Sequence, residues 1–180
     1  MQILNTHERE FTLPAAPVGI LIDSLASAND RLWPRHSWPA MRFDRPLGIG
    51  ADGGHGPIRY RVDEYNPRLY ISFRFTEPKG FDGHHAFEVI SLSDHSTLLR
   101  HSVKMHTRGL ARWSWPLLFE PLHNALLEDA LATGEAALGL TPTVHDWSIW
   151  VRCLRWMLSL GKARPQVTPD ILQRVMKPSG

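Results

Sequence analysis

Ser114–Gly139, SWPLLFEPLHNALLEDALATGEAALG, is the stretch whose reading decides the fold. It is the longest helical signal in the 180-residue chain. Pro116 falls in the expected first turn, where a missing N–H costs nothing, with Ser114 just ahead as a cap. Gly139 follows the last periodic residue as a stop. Leu118, Leu122, Ala125, Leu126, Ala132 and Ala136 recur on one side at helical spacing, and Leu127, Leu131 and Leu138 form a second strip. A helix apolar on two sides is covered on two sides. Pro121 cannot donate to the carbonyl one turn back, so the helix bends there or begins there. Asp129 sits amid the first side; the edge of that stripe, in water, is the expected place for an unpaired carboxylate.

The residues before this helix read as the surface that covers it. Gln2–Leu13 is a first strand, and Val18–Leu25 gives a helix of near eleven residues ending at Asn29-Asp30. Residues 31–57 are rich in Pro, Gly and Trp. Trp33-Pro34 and Trp38-Pro39 are held extended, the two tryptophans anchor a loop on the core, and a short strand is expected around Leu47–Ala51. The glycines at 48–56 lack the order of a phosphate-binding turn and read as plain turns. A clear period of two follows. Ile58, Tyr60 and Val62 share one register; Leu69, Ile71, Phe73 and Phe75 another; His85, Phe87 and Val89 a third; Leu99, His101, Val103 and Met105 a fourth. Short turns between them mean an antiparallel meander with one apolar side. The long helix is the only element able to cover that side, which makes the fold α+β.

Composition narrows the function. A hydrophobic fraction of 43% and a charged fraction of 21% belong to an ordinary globular chain. No apolar segment precedes Glu8-Arg9-Glu10 and no long uncharged apolar run exists, so neither a signal peptide nor a membrane span is expected. The lone Cys153 fits a reducing, cytoplasmic setting. Residues 141–180 carry six Lys/Arg against two Asp, while the remaining residues carry 14 basic against 16 acidic groups. Only the tail is basic, so no nucleic-acid partner is expected.

The element order resembles the SRPBCC superfamily, the helix-grip fold of START lipid-transfer domains, polyketide cyclases and pollen-allergen-like proteins. The strings that carry the resemblance are Phe11-Thr12-Leu13-Pro14-Ala15 with the helix Val18–Leu25, Trp33-Pro34, and Gly56-Pro57-Ile58-Arg59-Tyr60 with Val62 and Tyr65. Gly83-His84-His85-Ala86-Phe87-Glu88-Val89, Thr97-Leu98-Leu99-Arg100-His101 and Pro121-Leu122-His123-Asn124-Ala125-Leu126 complete them. The resemblance covers residues 1–140 and implies a curved antiparallel sheet wrapped around the long helix, with a mostly apolar cavity between. Residues 141–180 have no counterpart in it and form a separate helical extension.

Ten histidines invite a metal reading, yet none matches a ligand motif, and no metal or other cofactor is expected. His84-His85 point to opposite sides of a strand, as do His101 and His106. His85 and His101 stand out because both fall on the apolar register, where a polar group needs a partner or a ligand. A hydroxyl such as that of Tyr60 could satisfy them; contact with a ligand is the other reading. Tyr60, Phe73, Phe75, His85, Phe87, His101, Met105, Leu118 and Leu122 form the expected ligand-binding wall. No Ser/His/Asp set, phosphate loop or carboxylate pair stands out. In the tail, Asp146 is read as the cap of a helix over Trp147–Leu160. Trp147, Trp150, Val151, Leu154 and Leu158 form its apolar stripe, with Arg152 and Arg155 turned away. Gly161 stops it, and Pro169 starts a last helix to about Met176. Docking on the second strip of the long helix, or on a partner or second copy, is expected ahead of a membrane surface. The function this implies is binding or transport of a small hydrophobic molecule. A cyclase/dehydratase-type enzyme using a cavity histidine and an adaptor presenting the tail are the alternatives.

Overall fold

A computed structural model describes residues 1–162 and 164–176. Strand β1 (Gln2–Phe11) and helix α1 (Ala15–Asp23) come first, followed by two short strands, β2 (Arg42–Phe43) and β3 (Asp52–His55). Four longer strands follow: β4 (Ile58–Asn66), β5 (Tyr70–Glu77), β6 (Phe81–Ser93) and β7 (Ser96–Thr107). All seven pair antiparallel in one open sheet of order β1-β7-β6-β5-β4-β3-β2. β1 closes back on β7, with Gln2 opposite His106 and Phe11 opposite Thr97. The short strand expected around Leu47–Ala51 is instead two: those residues form the bend between β2 and β3. Gly53 and Gly54 lie within β3 rather than in a turn, because a Cβ on Gly53 would stand 2.1 Å from the Arg42 carbonyl across the pair.

The period-two registers bury Ile58, Tyr60, Val62, Ile71, Phe73, Phe87, Val89, Leu99, Val103 and Met105. Leu69 leaves that pattern and is exposed at the β4–β5 turn. Each fully buried aromatic ring contributes about 2–3 kcal/mol by leaving water. Helix α1 rests Val18, Leu21 and Ile22 on this core. Gly19 lets it approach the β4–β5 turn, since a Cβ there would lie 2.4 Å from the Arg68 carbonyl.

The long helix starts one turn earlier than Ser114. Helix α2 (Ala111–Ser114) runs into a π-turn (Trp115–Phe119) and then α3 (Glu120–Ala137), with Gly139 in the left-handed region after it. Ser114 makes no side-chain cap. The two prolines explain the irregularity. Pro121 has no N–H for Leu117, and the wide turn, in which the Glu120 N–H reaches the Trp115 carbonyl, absorbs the misfit before the regular helix resumes.

α3 is covered on both sides, but the strips are exchanged relative to expectation. His123, Leu127, Leu131 and Gly134 share the side toward the sheet. His123 meets His101, and a Cβ on Gly134 would lie 3.0 Å from Leu21 and 3.6 Å from Phe11. The opposite side, Asp129, Ala132 and Ala136, carries the tail: Ala132 and Ala136 pack with Val144, Val167 and Leu172. The tail folds as α4 (Ile149–Leu158) and α5 (Pro169–Met176). Ser148, not Asp146, caps α4 by accepting from the Val151 N–H. Trp147, Val151 and Leu154 of the expected stripe are buried and Arg152 is exposed, but Trp150 and Leu158 are exposed and Arg155 is buried, contrary to expectation. No helix among the described residues is long and apolar enough to cross a membrane.

Candidate functional site

Two polar clusters lie inside this fold, one on each side of α3, and they differ in how well they are satisfied. On the sheet side, alternation places His85 on β6 and His101 on β7, both almost fully buried. The His85 Nδ1 and His101 Nε2 atoms are 3.2 Å apart. From α3, His123 comes down on them, its ring centroid 5.1 Å from that of His101 and 5.9 Å from Trp115 of the π-turn. Phe73 stacks on His85 at 4.8 Å, Phe75 lies 5.0 Å from it, and Phe87 stands edge-on to His101 at 4.6 Å. His85 Nε2, His101 Nδ1, both ring nitrogens of His123 and Trp115 Nε1 are out of water with no protein partner. Each such group costs about 1–3 kcal/mol. Five of them lie in one contiguous patch, where native interiors pair most polar groups.

Electrostatics keep these rings neutral. Burial pushes His123 down to about 3, with the nearby His7 adding to the effect. Burial, reinforced by neighbouring imidazoles, holds His85 and His101 well below the ordinary imidazole value. A neutral imidazole offers one donor and one acceptor, so the patch presents both. Tyr60 does not satisfy His85. Its hydroxyl pairs with His55 Nδ1 at 3.0 Å, and its ring only meets His85 edge-on. Burial pushes His55 down to about 4.

The rim of this patch is a polar seam between β1 and α3. The inward residues of β1 include Asn5, His7 and Arg9. Asn5 and His7 bond Asn124, His7 bonds Glu128 at 2.8 Å, and Arg9 bridges Glu128 and Glu135 at 2.8 and 2.9 Å. Burial alone would lower His7, but its bonds to Glu128 and Asn124 and the Glu128 charge outweigh it and hold it above its ordinary value.

Of the residues expected in the binding wall, Tyr60, Phe73, His85, Phe87, His101 and Met105 are buried together under α3. Phe75 and Leu122 are half-buried at its edge, and Leu118 is half-buried outside the core cluster. Side chains in mutual contact occupy the space between sheet and helix. His123, Trp115 and His7 were missed. His123 sits one position beyond the apolar stripe credited with facing the sheet, and β1 was read only for its apolar positions.

On the other side of α3 the buried carboxylate and both indole N–H groups are paired, while Arg155 Nε and the Ser37 hydroxyl have no partner. Asp129 is buried rather than at a wet edge, because its Oδ2 accepts from Trp38 Nε1 at 2.7 Å and Trp147 Nε1 at 3.0 Å. Arg155 lies over both indoles, 4.1 Å from each ring, and donates to the Ser37 carbonyl. Burial pushes Asp129 up to about 6 against those bonds and the arginine's charge, and pushes Arg155 down to about 10. Trp33 donates to the Pro39 carbonyl, so both tryptophans of the loop anchor it, as expected. Among the described residues no group of His, Cys, Asp and Glu has the arrangement of a metal centre. Two grooves mark the surface: one of about 700 Å³ between α4 and residues 164–166, one of about 300 Å³ beside Asp30, Trp33 and Met41.

A seven-stranded antiparallel open sheet laid over a long helix, with a histidine patch between, defines the class: an α+β fold. No family model matches the chain, and no curated protein does. Solved structures match its fold. Norcoclaurine synthase from Thalictrum flavum superposes with a TM-score of 0.57 at 16% identity, over 77% of this chain and 87% of that one. A conserved protein of unknown function from Enterococcus faecalis gives 0.56 at 14%, over 89% and 87%. A Thermobifida fusca protein solved by NMR gives 0.55 at 18%, over 79% and 99%. At these identities the likeness is one of fold.

Proposed function

We propose that this chain binds a small, mostly apolar molecule between the sheet and α3, and that the histidine patch holds its polar group. The observation that carries the reading is the set of orphaned nitrogens on His85, His101, His123 and Trp115. They supply donors and acceptors at one spot, walled by Phe73, Phe75, Phe87 and Met105. Apolar burial gives affinity and the few polar groups give orientation. A norcoclaurine synthase of the same fold has been solved with dopamine and hydroxybenzaldehyde, which supports room for small aromatic molecules on this scaffold.

Binding is favoured over acid–base catalysis by the depressed basicity of the same rings. A general base works best when its pKa lies near the working pH, and these imidazoles are held well below it. Native mass spectrometry of freshly purified protein is the test, with His123→Leu as control. Wild type carries a stoichiometric small molecule, or takes up anilinonaphthalene sulfonate with micromolar affinity; His123→Leu, which keeps the volume and removes two orphan nitrogens, loses it. Equal uptake by the two proteins, or none by either, rejects the reading.

A further inference from the structure

The large apolar side chains left in water are not spread evenly. Among the described residues, nine of the fifteen lie in two stretches: Leu110, Trp113 and Leu117, and Ile149, Trp150, Trp156, Met157, Leu158 and Leu160. Leu110, Trp113 and Leu117 follow at helical spacing on α2 and the π-turn. Ile149, Cys153 and Trp156 form one outward stripe of α4, with exposed Leu160 just beyond its end. The Trp150 indole joins the two stretches by donating to the Leu117 carbonyl at 2.9 Å. Trp113 and Trp156 are 70% and 63% exposed, far more than a side chain of that size is left without cause. The groove of about 700 Å³ beside α4 indents this face and is lined by Ile149, Cys153, Trp156 and Met157.

Charge selects what covers it. Residues 105–119 and 147–169 contain no Asp or Glu, but they contain Arg112, Arg152 and Lys162, all exposed, together with Arg108 and Arg164. Arg112, Arg152 and Lys162 take part in no ion pair among the described residues; Arg108 pairs with Asp82. A second copy docked face to face would set these cations against their own symmetry mates, which is unfavourable. Tryptophan, leucine and isoleucine ringed by arginine and lysine suit the boundary between headgroups and acyl chains of an anionic bilayer.

We propose that the joined face of 110–117 and 149–162 seats the protein on an anionic lipid surface. α4 lies in the plane of the interface, the outward tryptophans sit at headgroup depth, and the arginines contact lipid phosphates. This face is distinct from the histidine patch, so the two readings fail separately.

The test is co-sedimentation of the full chain with phosphatidylcholine vesicles, with and without phosphatidylserine, read alongside tryptophan fluorescence. The expected result is binding to the phosphatidylserine vesicles with a blue shift, falling as salt rises, and little binding to phosphatidylcholine alone. Trp113→Glu with Trp156→Glu abolishes it. Both positions are exposed, so thermal melting stays at the wild-type value. Arg152→Gln weakens binding about five-fold. The proposal is overturned if the wild type stays in the supernatant, if the variants sediment as the wild type does, or if binding ignores phosphatidylserine. A solution dimer that the tryptophan variant splits, without vesicle binding, assigns the face to a second copy instead.

Discussion

The two sides of α3 show the same residue classes put to opposite uses. Toward the tail, Trp38, Trp147, Asp129 and Arg155 form a compact polar knot in which the carboxylate meets two indole N–H groups and the guanidinium lies on two rings. Toward the sheet, His85, His101, His123 and Trp115 form a second patch in which His85 Nδ1 and His101 Nε2 pair and the other five nitrogens have no partner. A satisfied buried cluster holds parts together; an unsatisfied one is kept at a cost to stability, which selection tolerates where a site needs it.

The contrast breaks first at its strong end. Asp129→Ala strands two buried indole N–H groups and leaves Arg155 without its nearby anion. A loss of about 4 kcal/mol in urea unfolding is expected, with exposure of Trp147 to quenchers. Asp129→Asn keeps an acceptor and loses about half as much. Arg9→Ala tests the seam that sets α3 on the sheet. It leaves Glu135 buried without its cation, and about 3 kcal/mol should go.

On the histidine side the sign reverses. His123→Leu should raise the stability of the ligand-free protein by about 1–2 kcal/mol, because it removes two buried nitrogens whose one polar neighbour, Asn124, is already engaged by Asn5 and His7. Loss of stability there would mean the patch is structural after all.

A further test is in acid. Below about 6.5 the unfolded chain takes up protons on its imidazoles, while the folded chain holds His55, His85, His101 and His123 neutral, so stability falls as pH drops through that range. His7 and Asp129 act the other way. The raised His7 contributes stability below its unfolded value that is lost as pH rises through its folded one. The raised Asp129 favours the folded state only as pH falls below about 6. His36, also lowered, adds to the first set and Asp30, also raised, to the second. The lowered imidazoles outnumber the raised groups, so melting temperature should decline between pH 7 and 5, more shallowly in His123→Leu.

The sheet was legible because period two is a local signal. Tyr60, Phe73, Phe87 and Met105 announced which side was in, and His85 and His101 drew notice by sharing that register. α3 was harder. Its two stripes are about equally apolar, and what tells them apart lies far off in sequence: Phe11, Leu21 and Leu32 for one, Val167 and Leu172 for the other. Asp129 and Arg155 were misplaced for the same reason. Each is a poor candidate for burial alone, and only Trp38 and Trp147 together make room for both. On β1, the polar alternation of Asn5, His7 and Arg9 matched the polar positions 124, 128 and 135 of the helix, a signal that was available and went unread.

One hydrogen bond has a wider reach than its size suggests. Pro121 leaves the Leu117 carbonyl free, and the tail's Trp150 takes it up. The same turn supplies Trp115 and Phe119 to the roof over the histidines. One short turn thus serves as a peg for the tail on its outer side and as a lintel over the sheet on its inner side, so a change in its shape would be felt at both.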